Sequence, residues 1–93
     1  MELNNIKTEL DLSIQNIDKI LNQEDFSAYH QIKSSLINTR ELLAKQNFIE
    51  AKKKLLLCIR LLMEAPTKDK KLGFDTLTKV DSVYKKISAL LIN

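Results

Sequence analysis

The chain has few of the residues that mark turns, disulfides and metal sites. Its 93 residues include one Gly, one Pro, one Cys, one His and no Trp. One Gly and one Pro cannot supply the turns of an all-β sandwich, which needs such residues about every 8–12 positions. One His and one Cys exclude a zinc site built from those ligands and a disulfide within the chain. We therefore expect no β fold, no metal and no cofactor.

The length and composition predict one small domain that spans residues 1–93. Hydrophobic residues make up 44% of the chain, which is enough to fill one core. The first residues have no basic region followed by an apolar run, so no signal peptide is predicted. The longest apolar run, residues 55–59, is far shorter than the ~18 residues of a membrane span. We expect a cytoplasmic protein that contacts no membrane and keeps Cys58 as a free thiol.

Apolar residues recur at steps of three and four in four segments, which is the spacing of amphipathic helices. Short polar links join the segments, so we predict an all-α, antiparallel up-and-down four-helix bundle. The alternative is a helical hairpin that needs a second chain to complete its core. The predicted core stripes are Leu3, Ile6, Leu10, Ile14, Ile17 and Leu21; Phe26, Tyr29, Ile32, Leu36, Thr39 and Leu43; Phe48, Ala51, Leu55, Cys58, Leu62 and Ala65; and Gly73, Leu77, Val80, Tyr84, Ile87 and Leu91.

Capping residues predict where the second and third helices begin and end. Asp25 is a good N-cap for the second helix. Asn47 followed by Glu50 resembles a capping box, in which each side chain bonds the backbone amide of the other residue. Pro66 lacks an amide hydrogen and disfavours helical angles before it, so the third helix should end close to Glu64.

The start of the fourth helix has two candidate caps and a glycine. Thr67 or Asp69 can cap this helix. Gly73 lies inside it, where a glycine costs about 1 kcal/mol relative to alanine. A close approach by a neighbouring helix would explain Gly73, or the glycine delays the helix start.

Candidate catalytic residues all have a structural explanation. Cys58 lies on the core stripe of the most apolar helix, where burial raises a thiol pKa and suppresses reactivity. His30 has no second His or Glu-x-x-His pair with which to bind metal. Tyr29 and Tyr84 lie on inward stripes, where a tyrosine packs its ring and keeps its hydroxyl at the edge. The sequence therefore predicts a protein that is not an enzyme.

Charge is distributed unequally along the chain. Residues 1–46 contain seven acidic and five basic residues, whereas residues 47–93 contain five acidic and ten basic residues. Antiparallel packing would bring Lys85 and Lys86 near Lys52, Lys53 and Lys54 at one end of the bundle. Such an end could bind nucleic acid nonspecifically, although no aromatic residues interleave the lysines. The opposite charges of the two halves could equally attract each other within the bundle.

The third helix also predicts a protein interface. With Leu55 at zero and about 100° per residue, Leu57 and Leu61 fall near 200° and 240°, away from the core stripe. They lie among charged residues, as an apolar interface core lies within a polar rim. Either the strip is such an interface, or helix three is covered on all sides, or the leucines are scattered surface residues. The predicted partner-binding residues are Leu57, Leu61, Arg60, Lys53, Lys54 and Glu64.

In a chain of this size, two segments resemble small helical immunity proteins of bacterial toxin systems. The segments are Asn47-Phe48-Ile49-Glu50-Ala51-Lys52 and Cys58-Ile59-Arg60-Leu61-Leu62-Met63-Glu64-Ala65-Pro66. These include the immunity proteins of contact-dependent inhibition and other polymorphic toxins and, more distantly, bacteriocin immunity proteins. The resemblance implies a cytoplasmic protein that binds and neutralises one cognate toxin. We expect it to act by occlusion and without catalysis, as a monomer or a homodimer. A nucleic-acid-binding or regulatory protein and a self-assembling structural protein are the alternatives.

Overall fold

The computed structural model describes residues 2–92, which form four α-helices joined by short loops. The helices are α1 (Glu2–Gln23), α2 (Ser27–Ala44), α3 (Phe48–Glu64) and α4 (Lys70–Ile92). The packed pairs are α1 with α2, α2 with α3, α3 with α4, and α4 with α1. Short loops and this cyclic order make an antiparallel up-and-down bundle measuring 39 × 19 × 18 Å. The predicted fold class is confirmed, and the four helices of one chain close around a shared core.

The predicted core stripes are confirmed in most of the first three helices. The fully or nearly buried residues include Ile6, Leu10, Ile14 and Ile17 of α1, Tyr29, Ile32, Leu36, Thr39 and Leu43 of α2, and Ala51, Leu55, Cys58 and Leu62 of α3. In α1 the structure also buries Ile20 and leaves Leu21 half-buried. Phe26 is exposed because it precedes α2 rather than lying within it.

The stripe predicted for α4 is partly wrong. The buried residues are Thr76, Val80, Val83 and Ile87, whereas Leu77 and Tyr84 are half-buried and Leu91 is exposed. Val80 and Ile87 belong to both patterns, so the sequence spacing allows either stripe. The buried stripe is rotated around the helix axis relative to the predicted stripe, because α4 packs against α1 as well as α3.

The turn between α2 and α3 confirms half of the predicted capping box. Asn47 Oδ1 accepts a hydrogen bond from the Glu50 amide at 3.3 Å. The Asn47 amide donates to the Leu42 carbonyl at 2.8 Å, and the Gln46 amide donates to the Leu43 carbonyl at 3.0 Å. Gln46 has a φ of 59°. These bonds form a Schellman motif, which occupies the Asn47 amide that the box assigned to Glu50.

The other helix ends give mixed outcomes. The prediction that α3 ends at Glu64 is confirmed. Asp25 is not the N-cap of α2, because the helix starts at Ser27 and no side chain caps it. Asp25 instead lies within 2.6 Å of His30, from Oδ1 to Nε2.

The start of α4 is capped by Asp69, which was one of the two predicted candidates. Its Oδ1 accepts a hydrogen bond from the Leu72 amide at 3.0 Å. A Cβ added to Gly73 would lie 2.8 Å from Thr67 Cγ2. The close approach at Gly73 therefore comes from the loop before α4 and not from a neighbouring helix. The glycine does not delay the helix, which begins at Lys70.

Candidate partner-binding surfaces

The predicted strip on α3 is narrower than the sequence indicated. Leu57 is 44% exposed and lies beside a shallow hollow lined by α2 residues, including His30 and Ser34. Leu61 is half-buried, and it packs against the core. Leu57 is therefore the apolar residue that this strip offers to a partner.

The charged residues predicted around the strip have different environments. Arg60 and Glu64 are exposed, and Lys54 is half-buried. Lys53 is exposed and pairs with Glu50 one turn earlier, at 3.4 Å between Nζ and Oε1. An exposed pair of this kind contributes little stability, so Lys53 can be redirected towards a partner at small cost.

A larger apolar surface lies in the groove between α3 and α4. Met63 on α3 and Phe74 on α4 are each 70% exposed, and Ile59 and Leu77 are half-buried beneath them. We call these four residues the α3–α4 groove. Two adjoining hollows, of about 430 and 280 Å³, share Met63, Phe74 and Leu77 in their walls. Because exposed large apolar side chains on a soluble protein are usually scattered, this pairing marks a candidate interaction site.

The groove is not among the features predicted from the sequence, although α3 contains a signal for it. None of Leu56, Ile59, Met63 and Phe74 belongs to a predicted core stripe. On α3, a second row consists of the residues that each come one position after a residue of the core stripe. The row lies about 100° around the helix from the core, at the edge of the contact with α4. Its members are Ile49, Lys52, Leu56, Ile59 and Met63.

One charged side chain lines each of the two hollows of the groove. Lys70 lines the larger hollow. Lys52 Nζ lies 5.6 Å from the centre of the Tyr84 ring, over the contact between α3 and α4. Asp81 lines the smaller hollow, and its carboxylate is paired with Lys85 at 3.0 Å. The one carboxylate in the lining of either hollow is therefore paired with a lysine of its own helix.

Four of the five lysines in the predicted cluster contact acidic or aromatic groups. The Lys52–Tyr84 contact confirms that the start of α3 meets the second half of α4. Lys85 and Lys53 each pair with a carboxylate on their own helix. Lys86 pairs with Glu9 of α1. These contacts reduce the net charge that this end presents to a phosphate backbone.

Cys58 and His30 lie in different environments. Cys58 is fully buried, as predicted, and burial raises the pKa of its thiol to about 12. Its Sγ lies 3.9 Å from the Ile32 carbonyl oxygen. His30 is exposed and pairs with Asp25. A neutral, buried thiol is a poor nucleophile, so this pair does not form an activated thiol.

The buried tyrosine has a structural role at the end of the bundle. Tyr29 is 1% exposed, and its hydroxyl donates to the Ala65 carbonyl at 3.4 Å. Burial raises the pKa of Tyr29.

Within residues 2–92, no group of three or more His, Cys, Asp or Glu side chains could hold a metal ion.

Comparison with known proteins identifies no family. No family model, curated protein or solved structure matches the chain. None of the helices in the described part of the chain combines the length and apolarity that crossing a bilayer requires.

Proposed function

We propose that this chain is a non-catalytic protein-binding module that acts by covering the functional surface of a partner protein. The observation that carries this proposal is the exposure of Met63 and Phe74, side by side in the α3–α4 groove. Removing such a side chain from water stabilises a complex by about 1.5–3 kcal/mol when burial is complete. The bundle presents both side chains on rigid helices, so little ordering free energy is lost on binding.

The expected partner is a bacterial toxin, because the chain resembles small helical immunity proteins. Inhibition by occlusion requires shape and apolar contact but no catalytic group. It would take place in the cytoplasm, where a cognate toxin would otherwise act and where Cys58 stays reduced.

Binding and inhibition of an isolated partner test this proposal. The full chain is immobilised, proteins are captured from the organism that encodes it, and the captured protein is purified and assayed for its activity. We expect saturable 1:1 binding and inhibition that is complete at one equivalent of the chain. The inhibition should not require catalytic turnover.

The alternatives predict other outcomes of the same experiment. A nucleic-acid-binding protein would retain nucleic acid, and its affinity would fall steeply as salt rises. A self-assembling protein would show concentration-dependent association in the absence of any partner. Either result without saturable binding of another protein would overturn the proposed function.

A further inference from the structure

Four residues of α4 form a row whose order is self-complementary. Lys70, Phe74, Leu77 and Asp81 follow one another at steps of four, three and four, which places them in line along the helix. Each of them lines at least one hollow of the α3–α4 groove. The row has a basic residue at one end, an acidic residue at the other and two large apolar residues between them. Because the spacing is the same in both directions, the row complements a reversed copy of itself.

A two-fold axis through the middle of this row brings each residue opposite its complement. In an interface of this symmetry, every contact between two different residues occurs twice. When α4 lies antiparallel to α4 of a second copy, Phe74 of each copy faces Leu77 of the other, and Lys70 of each copy faces Asp81 of the other. A parallel arrangement would place lysine beside lysine and aspartate beside aspartate, which is unfavourable. The order of the charges therefore fits a second copy in the antiparallel orientation.

The two charged residues of the row can make these contacts at small cost. Lys70 is exposed, and none of the ion pairs among residues 2–92 involves it. Asp81 pairs with Lys85 of its own helix at 3.0 Å, and the two side chains are 42% and 74% exposed. An exposed pair of this kind contributes little stability, so Asp81 can turn towards Lys70 of the second copy.

The groove beside the row has room for the ring that the second copy presents. Phe74 and Met63 are each 70% exposed, and with Leu77 they form the wall between hollows of about 430 and 280 Å³. Leu77 borders both hollows, and it is the residue opposite Phe74 of the second copy. Phe74 of each copy would thus enter the groove of the other, where Met63 on α3 covers it. The two-fold axis doubles the apolar surface that this contact removes from water.

We propose that the chain forms a two-fold symmetric homodimer in which α4 lies antiparallel to α4 of a second copy. Phe74 packs against Leu77, and Lys70 pairs with Asp81. This inference goes beyond the proposed function, because it concerns the chain in the absence of its partner protein. A second copy and a partner protein cannot both cover the groove, so the dimer dissociates before the partner binds there. Because a contact through two helices of each copy is small, the dimer is reversible, with a dissociation constant in roughly the micromolar range.

Sedimentation equilibrium of the full chain tests the inference. Between about 5 and 500 µM we expect a monomer–dimer equilibrium with a dissociation constant below about 100 µM. Phe74→Asp should raise that constant at least about tenfold, because it places a carboxylate in the apolar centre of the interface. Leu12→Asp is the matched control, since Leu12 is also an exposed apolar residue but lies on α1. The control should dimerise within about twofold of the original chain.

Two outcomes of this experiment would overturn the inference. One is a chain that stays monomeric up to about 500 µM. The other is a dimer whose dissociation constant Phe74→Asp leaves unchanged. If circular dichroism shows that Phe74→Asp unfolds the bundle, Phe74→Gln replaces it in the same comparison.

Charge reversal tests the antiparallel orientation. Lys70→Asp places two carboxylates opposite each other, and Asp81→Lys places two lysines opposite each other, so each should weaken dimerisation at least about threefold. The double variant, with both changes in one chain, restores the two ion pairs and should dimerise like the original chain. Lys71→Asp is the matched control, because it changes the net charge equally at an exposed residue outside the row. Equal weakening by Lys70→Asp and Lys71→Asp, or no recovery in the double variant, would overturn the inference.

The captured partner separates this inference from the proposed function. If the original chain stays monomeric but binds and inhibits the partner, the dimer is wrong and the protein-binding function stands. If the original chain dimerises through α4 but captures no other protein, the dimer stands and the proposed function is wrong.

Discussion

Glu24 and Lys68 connect the two loops at one end of the bundle. Glu24 Oε1 accepts a hydrogen bond from the Lys68 amide at 2.9 Å. Glu24 lies between α1 and α2, and Lys68 lies between α3 and α4, so one bond joins segments 44 residues apart. The carboxylate is buried, and its Oε2 has no hydrogen-bond partner among the described residues. A buried acceptor without a partner costs free energy, which the bond from Oε1 must offset.

Two substitutions at Glu24 should separate the hydrogen bond from the charge. Glu24→Ala removes the bond to Lys68, and we expect the free energy of unfolding to fall by about 1–2 kcal/mol. Glu24→Gln keeps an oxygen acceptor and removes the buried charge, so it should be at least as stable as the original chain. Urea denaturation measures both changes. An equal loss in the two variants would show that the charge itself stabilises this end.

The register of α3 can be tested with adjacent leucines. Leu55 is fully buried, whereas Leu56 is 45% exposed. Leu55→Ala should cost about 2–5 kcal/mol, as large-to-small core substitutions do. Leu62→Ala should fall in the same range, nearer its lower end because Leu62 lies at the edge of the core. Leu56→Ala is the control and should cost less than about 1 kcal/mol. Similar losses at Leu55 and Leu56 would contradict the observed rotation of the helix.

The sequence predicts the fold well because helix formation and burial share one spacing rule. Cys58 and Leu55 follow the three-and-four pattern, and both are buried. The same spacing rule cannot decide between two overlapping stripes, as in α4, where Val83 is buried in place of its neighbour Tyr84. That choice depends on the angle at which a neighbouring helix packs.

The candidate site was harder to predict than the fold. The apolar character of Met63 indicates burial, and only the three-dimensional packing shows that α3 and α4 do not cover it. The buried side chain of Glu24 was also missed, because it occurs in a polar run that is typical of exposed loops. Its burial results from the approach of the α3–α4 loop, which is distant in sequence.

Cys58 should be inaccessible to thiol reagents in the folded protein. Its thiol is fully buried and, with a pKa of about 12, remains neutral at physiological pH. We expect the rate of modification to follow the rate of unfolding and to rise when denaturant is added. Cys58→Ala should lower stability modestly and leave partner affinity within a few-fold. Fast modification of the native chain, together with loss of partner binding in the variant, would assign Cys58 a functional role.

The same thiol should make stability depend on alkaline pH. The folded pKa of about 12 exceeds the ordinary value of 9.0, so the folded state disfavours the thiolate. The stability that results is fully present below pH 9 and is lost as the pH rises towards 12. Burial also raises the pKa of Tyr29, which adds a loss in the same direction. Urea denaturation of the original chain and of Cys58→Ala at several pH values isolates the contribution of the thiol to this loss of stability. The variant should lack that contribution.

Gln46 lies in a left-handed conformation that favours glycine. Its φ is 59°, at the position that follows the end of α2 in the Schellman motif. Gln46→Gly should raise the free energy of unfolding by about 0.5–1 kcal/mol, because glycine has no Cβ to oppose this conformation. Lys45→Gly is the control, since Lys45 has a φ of −90° and glycine there only increases the freedom of the unfolded chain. A gain at Lys45 comparable to that at Gln46 would contradict this explanation.

The strip predicted from the sequence and the groove found in the structure are competing surfaces on α3. Leu57 and Met63 project about 120° apart around the helix axis, so a flat partner surface cannot bury both fully. Leu61 packs against the core, whereas Leu57 is 44% exposed. Leu61→Asp should therefore lower stability by about 1–3 kcal/mol, and Leu57→Asp by less than about 1 kcal/mol. Thermal unfolding checks these values.

Affinity for the captured partner then ranks the two surfaces. We expect Leu57→Asp to reduce this affinity less than Met63→Asp does, because Met63 is 70% exposed and has a second large apolar residue, Phe74, beside it. Titration calorimetry on folded variants measures both losses. A larger loss for Leu57→Asp would place the interface on the strip with Arg60 and Glu64. The partner would then contact the α2 side of the helix, where Leu57 borders the hollow beside His30.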